Sequence, residues 1–136
     1  MKVNGACLCG QIKYEAEIDP DRVAICHCRD CQVNAATAFG LVAGVIDRQF
    51  ALLTGTLKEY EKIAQSGRTR ILSFCGDCGT RIHARTEGDA NAFFGLRVGS
   101  IAERDQLTPK SQVWCESALP WVADMAAIPK VWKQSS

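Results

Sequence analysis

The sequence predicts a mainly β protein with little helix and with cysteine pairs at the strand ends. Apolar and charged residues alternate over residues 11–18, two strand-like segments flank Ser66 and Gly67, and helical stretches are scarce. Alternation with a period of two is typical of a half-buried strand, and two strand-like segments around a short turn indicate a hairpin.

Several strands are expected in succession. In residues 11–18, Ile12 and Tyr14 alternate with Lys13 and Glu15, which predicts a strand with one buried face. A continuous apolar run predicts that the next strand is more deeply buried. That strand and the remaining ones are predicted at residues 38–46, 56–64, 68–74, 81–85 and 91–100.

Helix is expected in only two stretches. Residues 28–36 have room for one or two turns, with Asp30 near the start. Residues 120–127 can hold another short helix, because Pro120 suits a first turn and Pro129 ends it.

Length and composition predict one globular domain over residues 1–136, since 47% of residues are hydrophobic and 23% are charged. The formal charge is +1 and no block of like charge indicates a nucleic-acid partner. Because no segment has the pattern of a signal peptide or a membrane span, we expect a cytoplasmic protein without a membrane partner. In a reducing compartment, eight cysteines at short spacings favour metal binding or catalysis over disulfides.

Seven of the eight cysteines form three tight groups, which predicts two metal sites. A structural zinc ion takes four tetrahedral ligands, so two thiolate pairs can close one site. The C-x-C group and the C-x-x-C group together supply four thiolates and can close one such site. The C-x-C-x-x-C group supplies three thiolates and leaves the fourth position open, as in a catalytic or exchangeable site. The predicted structural ligands are Cys7, Cys9, Cys75 and Cys78, and the predicted open-site ligands are Cys26, Cys28 and Cys31.

The spacing leaves other assignments open. Cys7 and Cys9 could join two members of the triplet, or Cys115 or a histidine could close the triplet in a wholly structural two-zinc module. Thiolate sites also accept iron or cadmium. A three-thiolate zinc is a weak Lewis acid whose natural chemistry is to bind an incoming thiol as a thiolate, which favours sulfur chemistry over hydrolysis.

Four motifs carry a resemblance to a known family. They are GACLCG at residues 5–10, CHCRDCQ at 26–32, FCGDCGT at 74–80 and SALPW at 117–121. In this order they resemble the motifs of the glutathione-dependent formaldehyde-activating enzyme family. The resemblance implies folded antiparallel β-sheets, a barrel or sandwich shared with Rab-binding zinc chaperones.

The resemblance also implies the activity and the metals. It implies the same division of cysteines, with two zinc ions per chain and the triplet at the active site. The family joins formaldehyde to glutathione in a carbon–sulfur lyase type of reaction, so a small thiol and a small aldehyde are the expected substrates. Because the family includes a vertebrate centromere protein, a non-catalytic glutathione-binding carrier or a structural zinc interaction module is the alternative.

Other candidate residues receive structural interpretations. We expect His27 to point away from the metal rather than to donate a proton, and His83 to be a structural imidazole. Cys115 is expected to be a small buried residue. We expect Trp114 and Trp121 to pack in the core rather than to line the pocket. Four arginines could hold substrate carboxylates, but none stands out from the sequence: Arg29, Arg81, Arg85 and Arg97.

Overall fold

A computed structural model describes residues 1–134, and its eight strands form one mainly antiparallel sheet. The mainly β prediction is therefore confirmed. The strands are β1 (Lys2–Ala6), β2 (Lys13–Cys26), β3 (Gly40–Thr54), β4 (Leu57–Ile63), β5 (Thr69–Cys75), β6 (Arg81–Thr86), β7 (Gly95–Arg97) and β8 (Ser111–Val113).

The strands are ordered β1-β2-β3-β7-β6-β5-β4, and each neighbouring pair is antiparallel. β8 lies off this path and pairs in parallel with the last residues of β2, Ala24 to Cys26. The predicted hairpin of β4 and β5 is confirmed. Two strands were not predicted: β1, which is short and contains Gly5, and β8, whose residues are all exposed.

Helix is confined to short segments, as the sequence predicts. The helix α1 (Arg29–Ala35) lies within the predicted stretch and has Asp30 in its first turn. The predicted stretch at Pro120–Ala127 forms 3-10 turns with a kink at Asp124 instead of one regular helix. The predicted strand at residues 91–100 is reduced to β7, followed by a 3-10 turn over Val98–Ser100.

The alternating side chains of β2 build the core. Tyr14, Ala16 and Ile18 are buried, and the Tyr14 hydroxyl shares a 2.7 Å hydrogen bond with Ser100 Oγ. The pairing of β2 with β3 then shifts between Asp19 and Val23, so the three residues between them are unpaired. This irregularity brings the segment before Val23 to the site described below.

Within residues 1–134, no helix has both the length and the apolar character required to cross a membrane.

Candidate metal centres

Four cysteines from two distant turns meet in one place, which we call the four-cysteine cluster: Cys7, Cys9, Cys75 and Cys78. Their Sγ atoms all lie within 4.8 Å of one another. The Cys7–Cys9 and Cys9–Cys75 Sγ pairs are separated by 3.5 Å and 3.8 Å. A tetrahedral zinc with Zn–S bonds of about 2.3 Å requires sulfurs about 3.8 Å apart, so this donor set fits the ion.

Two tight turns bring these sulfurs together. Gly10 and Gly79 have φ values of +80° and +78°, a backbone conformation that other residues adopt with strain. The Ile12 backbone N–H donates to Cys7 Sγ at 3.2 Å, while hydrogen bonds from Thr80 lower the pKa of Cys78 to about 5. Both effects stabilise thiolates, the form that binds a metal.

The second group, which we call the three-cysteine cluster, lies where β2 ends and α1 begins: Cys26, Cys28 and Cys31. Its Sγ atoms also lie within 4.8 Å of one another. Cys28 caps α1, because its Sγ accepts a 3.3 Å hydrogen bond from the Cys31 backbone N–H. Among residues 1–134, no fourth histidine, cysteine or carboxylate atom joins this group.

A cavity of about 430 Å³ opens onto the three-cysteine cluster. Cys26 and Cys31 line it from one side, and Phe93 and Val42 contribute apolar walls. A volume of this size suits a small organic ligand. A second cavity, also of about 430 Å³, reaches Cys28 and is bordered by Trp114.

The thiols of the three-cysteine cluster shift one another's pKa, and a neighbouring guanidinium adds to the shift. The hydrogen bond with the Cys26 thiol, and then the neighbouring Cys28 thiol and the Arg97 guanidinium, lower the pKa of Cys31 to about 5 although burial opposes the shift. The same interaction with Cys31 raises the pKa of Cys26. These interactions favour the thiolate form of Cys31, the form that binds a metal.

Neither histidine joins a cysteine cluster. His27 is fully buried, and its Nε2 shares a 2.7 Å hydrogen bond with Gln112 Oε1, in agreement with the expectation that it points away from the metal. His83 is packed edge-on between the rings of Phe50 and Phe94, in agreement with a structural imidazole. Burial lowers the pKa of His83 to about 4.

Three residues near the C-terminal end correct the sequence analysis. Cys115 is exposed rather than buried, and its Sγ lies 3.6 Å from the Gln112 carbonyl oxygen. Trp114 and Trp121 are about half exposed rather than packed in the core. The segment after β8 is made of short turns, and so it offers no second layer to cover these rings.

The structure singles out one of the four candidate arginines and adds two that the sequence analysis missed. Arg97 lines the cavity with Arg22 and Arg70, which come from β2 and β5. These positions are far apart in sequence, and only the sheet order brings them together. The other three candidates do not line this cavity. Arg81 donates to the Asn34 carbonyl oxygen, Arg85 is paired with Glu59, and Arg29 borders the second cavity, which reaches Cys28.

Comparison with known proteins identifies the family. The family model described as glutathione-dependent formaldehyde-activating enzyme matches residues 2–117. No curated protein matches the sequence significantly. The crystal structure of a Rhodobacter sphaeroides protein, a structural-genomics target, is similar with a TM-score of 0.62 and 20% identity, over 83% of this chain and 100% of that chain. At that identity the likeness shows the fold. Because the family match covers most of its length, the chain belongs to the glutathione-dependent formaldehyde-activating enzyme family.

Proposed function

We propose that the protein is a zinc enzyme that adds a glutathione-like thiol to formaldehyde or another small aldehyde at the three-cysteine cluster. The observation that carries the proposal is a group of three thiol ligands, without a fourth from residues 1–134, beside an open cavity. The four-cysteine cluster is proposed to hold the second, structural zinc. In this proposal one domain spans residues 1–136.

The proposed reaction is the addition of a thiol S–H group across the C=O bond of an aldehyde. Cys26, Cys28 and Cys31 would hold a zinc ion, which would supply a Lewis acid that lowers the pKa of an incoming thiol. A carbon–sulfur bond then forms at the carbonyl carbon, the C=O double bond becomes a C–O single bond, and the oxygen takes up one proton. The cavity walls hold the two reactants together, and proximity accounts for much of the acceleration because the uncatalysed addition already proceeds.

The proposed partners are a small thiol and a small aldehyde, without a nucleic acid or a membrane. A reducing compartment, the cytoplasm, is the proposed location. None of the eight cysteines forms a disulfide bond, as is typical of a protein in a reducing compartment.

The test measures the rate of hemithioacetal formation from glutathione and formaldehyde by carbon-13 exchange NMR, with the metal content determined per chain. We expect the zinc-loaded protein to accelerate the reaction above background, and the Cys28→Ser variant to lose the acceleration. Cys115→Ser is the matched control, because Cys115 belongs to neither cluster, and it should keep the wild-type rate.

Two outcomes contradict the proposal in different ways. Glutathione binding without acceleration would favour the carrier alternative. A zinc coordination sphere at the three-cysteine cluster that does not change when thiol is added, measured by X-ray absorption, would favour a structural interaction module.

A further inference from the structure

We propose that Arg70 and Arg97 form a carboxylate-binding subsite beside the three-cysteine cluster, so that the enzyme prefers a substrate with a carboxylate near its reacting atoms. This inference rests on the proposed function and adds a substrate class to it. The carboxylate belongs either to the thiol or to the carbonyl compound.

The subsite adjoins the proposed reaction centre. Arg97 and Cys31 both line the cavity and both pack over Gly40: a Cβ atom built there would lie 2.8 Å from Arg97 Nη1 and 3.4 Å from Cys31 Sγ. Arg70 lines the same cavity from β5. A carboxylate bound between these guanidinium groups would therefore lie close to a thiolate held by the cluster.

Neither guanidinium forms an ion pair with an Asp or Glu side chain among residues 1–134, although Asp21 lines the same cavity and Cys31 Sγ lies beside Arg97. Arg68 and Arg85, by contrast, form ion pairs with Asp89 and Glu59 at 2.8 Å and 3.2 Å. The Nη1 atoms of Arg97 and Arg85 are both buried without a hydrogen-bond partner within the described residues, but only Arg97 lines the cavity. A buried guanidinium N–H without an acceptor is costly, and an anion that enters the cavity would remove that cost.

The two arginines also disfavour each other. Burial, and after it the charge of Arg97, lowers the pKa of Arg70, while the charge of Cys31 opposes the shift. A shared anion would convert this repulsion into two attractive interactions, because a guanidinium matches a planar carboxylate with two parallel N–H donors.

Both side chains are already oriented. Arg70 Nη1 donates to Thr86 Oγ1 at 2.7 Å and to the Phe93 carbonyl oxygen at 3.3 Å. Arg97 Nη2 donates to Asn34 Oδ1 at 3.3 Å. Arginines held in place lose less conformational entropy when they bind a ligand, so the subsite is preorganised.

The test compares ligands that differ in the carboxylate. The first pair is N-acetylcysteine and N-acetylcysteamine, titrated against cobalt-substituted protein while the sulfur-to-cobalt charge-transfer band is followed. The second pair is glyoxylate and acetaldehyde, compared by rate of addition with N-acetylcysteamine as the thiol. We expect the carboxylate to improve affinity or rate by about 10- to 100-fold in one pair, and that pair identifies the substrate that carries it.

The variants assign the effect to residues. In Arg70→Gln and Arg97→Gln the carboxylate preference should fall towards one. In Arg85→Gln, the matched control outside the cavity, the preference should remain. If the carboxylate changes neither the thiol affinity nor the rate of addition in the wild-type protein, the inference is overturned. Thiol binding to the metal in that experiment would still support the proposed function. If neither thiol changes the cobalt spectrum, the proposed function fails and this inference fails with it.

Discussion

The two cysteine clusters use the same ligand atom in opposite ways. The four-cysteine cluster joins the turn after β1 to the turn after β5, and two of its members, Cys7 and Cys75, are buried. The three-cysteine cluster comes from one short stretch of chain, and all of its members are partly exposed beside cavities. Ligand number and sequence separation differ between the clusters, although Cys9 of the four-cysteine cluster is exposed. This difference is the basis of our proposal that one cluster holds the fold and the other offers a coordination position.

The strongest test of this difference removes one cysteine from each cluster. Structural zinc contributes roughly 10–16 kcal/mol to the folding of small zinc domains. We therefore expect Cys75→Ala to be largely unfolded and Cys28→Ala to keep the β-sheet, as measured by circular dichroism and urea titration. Cys115→Ala is the control that lacks an exposed thiol but keeps both clusters. Equal loss of folding in Cys75→Ala and Cys28→Ala would show that the division is wrong.

Metal removal sharpens the comparison without mutation. A zinc chelator should extract one ion rapidly, with little change in the circular dichroism of the sheet, because the three-cysteine cluster adjoins a cavity. The second ion should leave slowly and together with unfolding. Release of both ions in one kinetic phase, measured with a zinc indicator, would contradict the expected difference in accessibility.

Both the cysteine clusters and His83 are expected to make the free energy of unfolding depend on pH in the acid range. The folded pKa of His83 is about 4 against an ordinary value of 6.5, because its ring is buried between two phenylalanines. Between pH 6.5 and 4 the imidazole is protonated in the unfolded chain but neutral in the folded chain. The free energy of unfolding therefore falls as the pH decreases through this range, by up to about 3 kcal/mol.

Above pH 6.5 the imidazole is neutral in both states, so His83 causes no loss of stability there. An NMR titration of the His83 ring should give a midpoint well below 6.5, and His83→Gln should flatten the pH dependence of the urea midpoint between pH 4 and 6.5. A midpoint near 6.5 would exclude the histidine and leave the cysteine clusters as the source of acid sensitivity.

The smallest expected effect concerns only the three-cysteine cluster. Gly40→Ala would place a methyl group against the Arg97 guanidinium and the Cys31 thiol. Because a flexible side-chain end can move aside, we expect a cost of about 1 kcal/mol in stability, together with weaker thiol binding. Gly99→Ala is the control, since no atom lies within 4 Å of a Cβ placed there. If Gly40→Ala and Gly99→Ala bind the thiol with the same affinity, Arg97 does not take part in thiol binding.

The sequence predicts the ligands better than it predicts the cavity. The C-x-C and C-x-x-C spacings lead directly to the four sulfurs that meet, and the triplet is local in sequence. The arginines carry no such signal, because Arg22, Arg70 and Arg97 converge only through the order of β2, β3, β7, β6 and β5.

The strands that were missed have a similar explanation. β8 has no alternation of apolar residues, since all three of its residues are exposed and it is defined by parallel pairing with β2. Trp114 and Trp121 were assigned to the core from their size alone, but a large apolar ring is buried only where another element covers it.

A single strand links the two clusters. β2 begins four residues after Cys9 and ends on Cys26, and its middle residues pack the core. If the proposed roles hold, the scaffold and the reactive end lie at opposite ends of one continuous strand. A relative of this protein could give up its chemistry through one altered thiol and persist as a well-formed platform for other molecules.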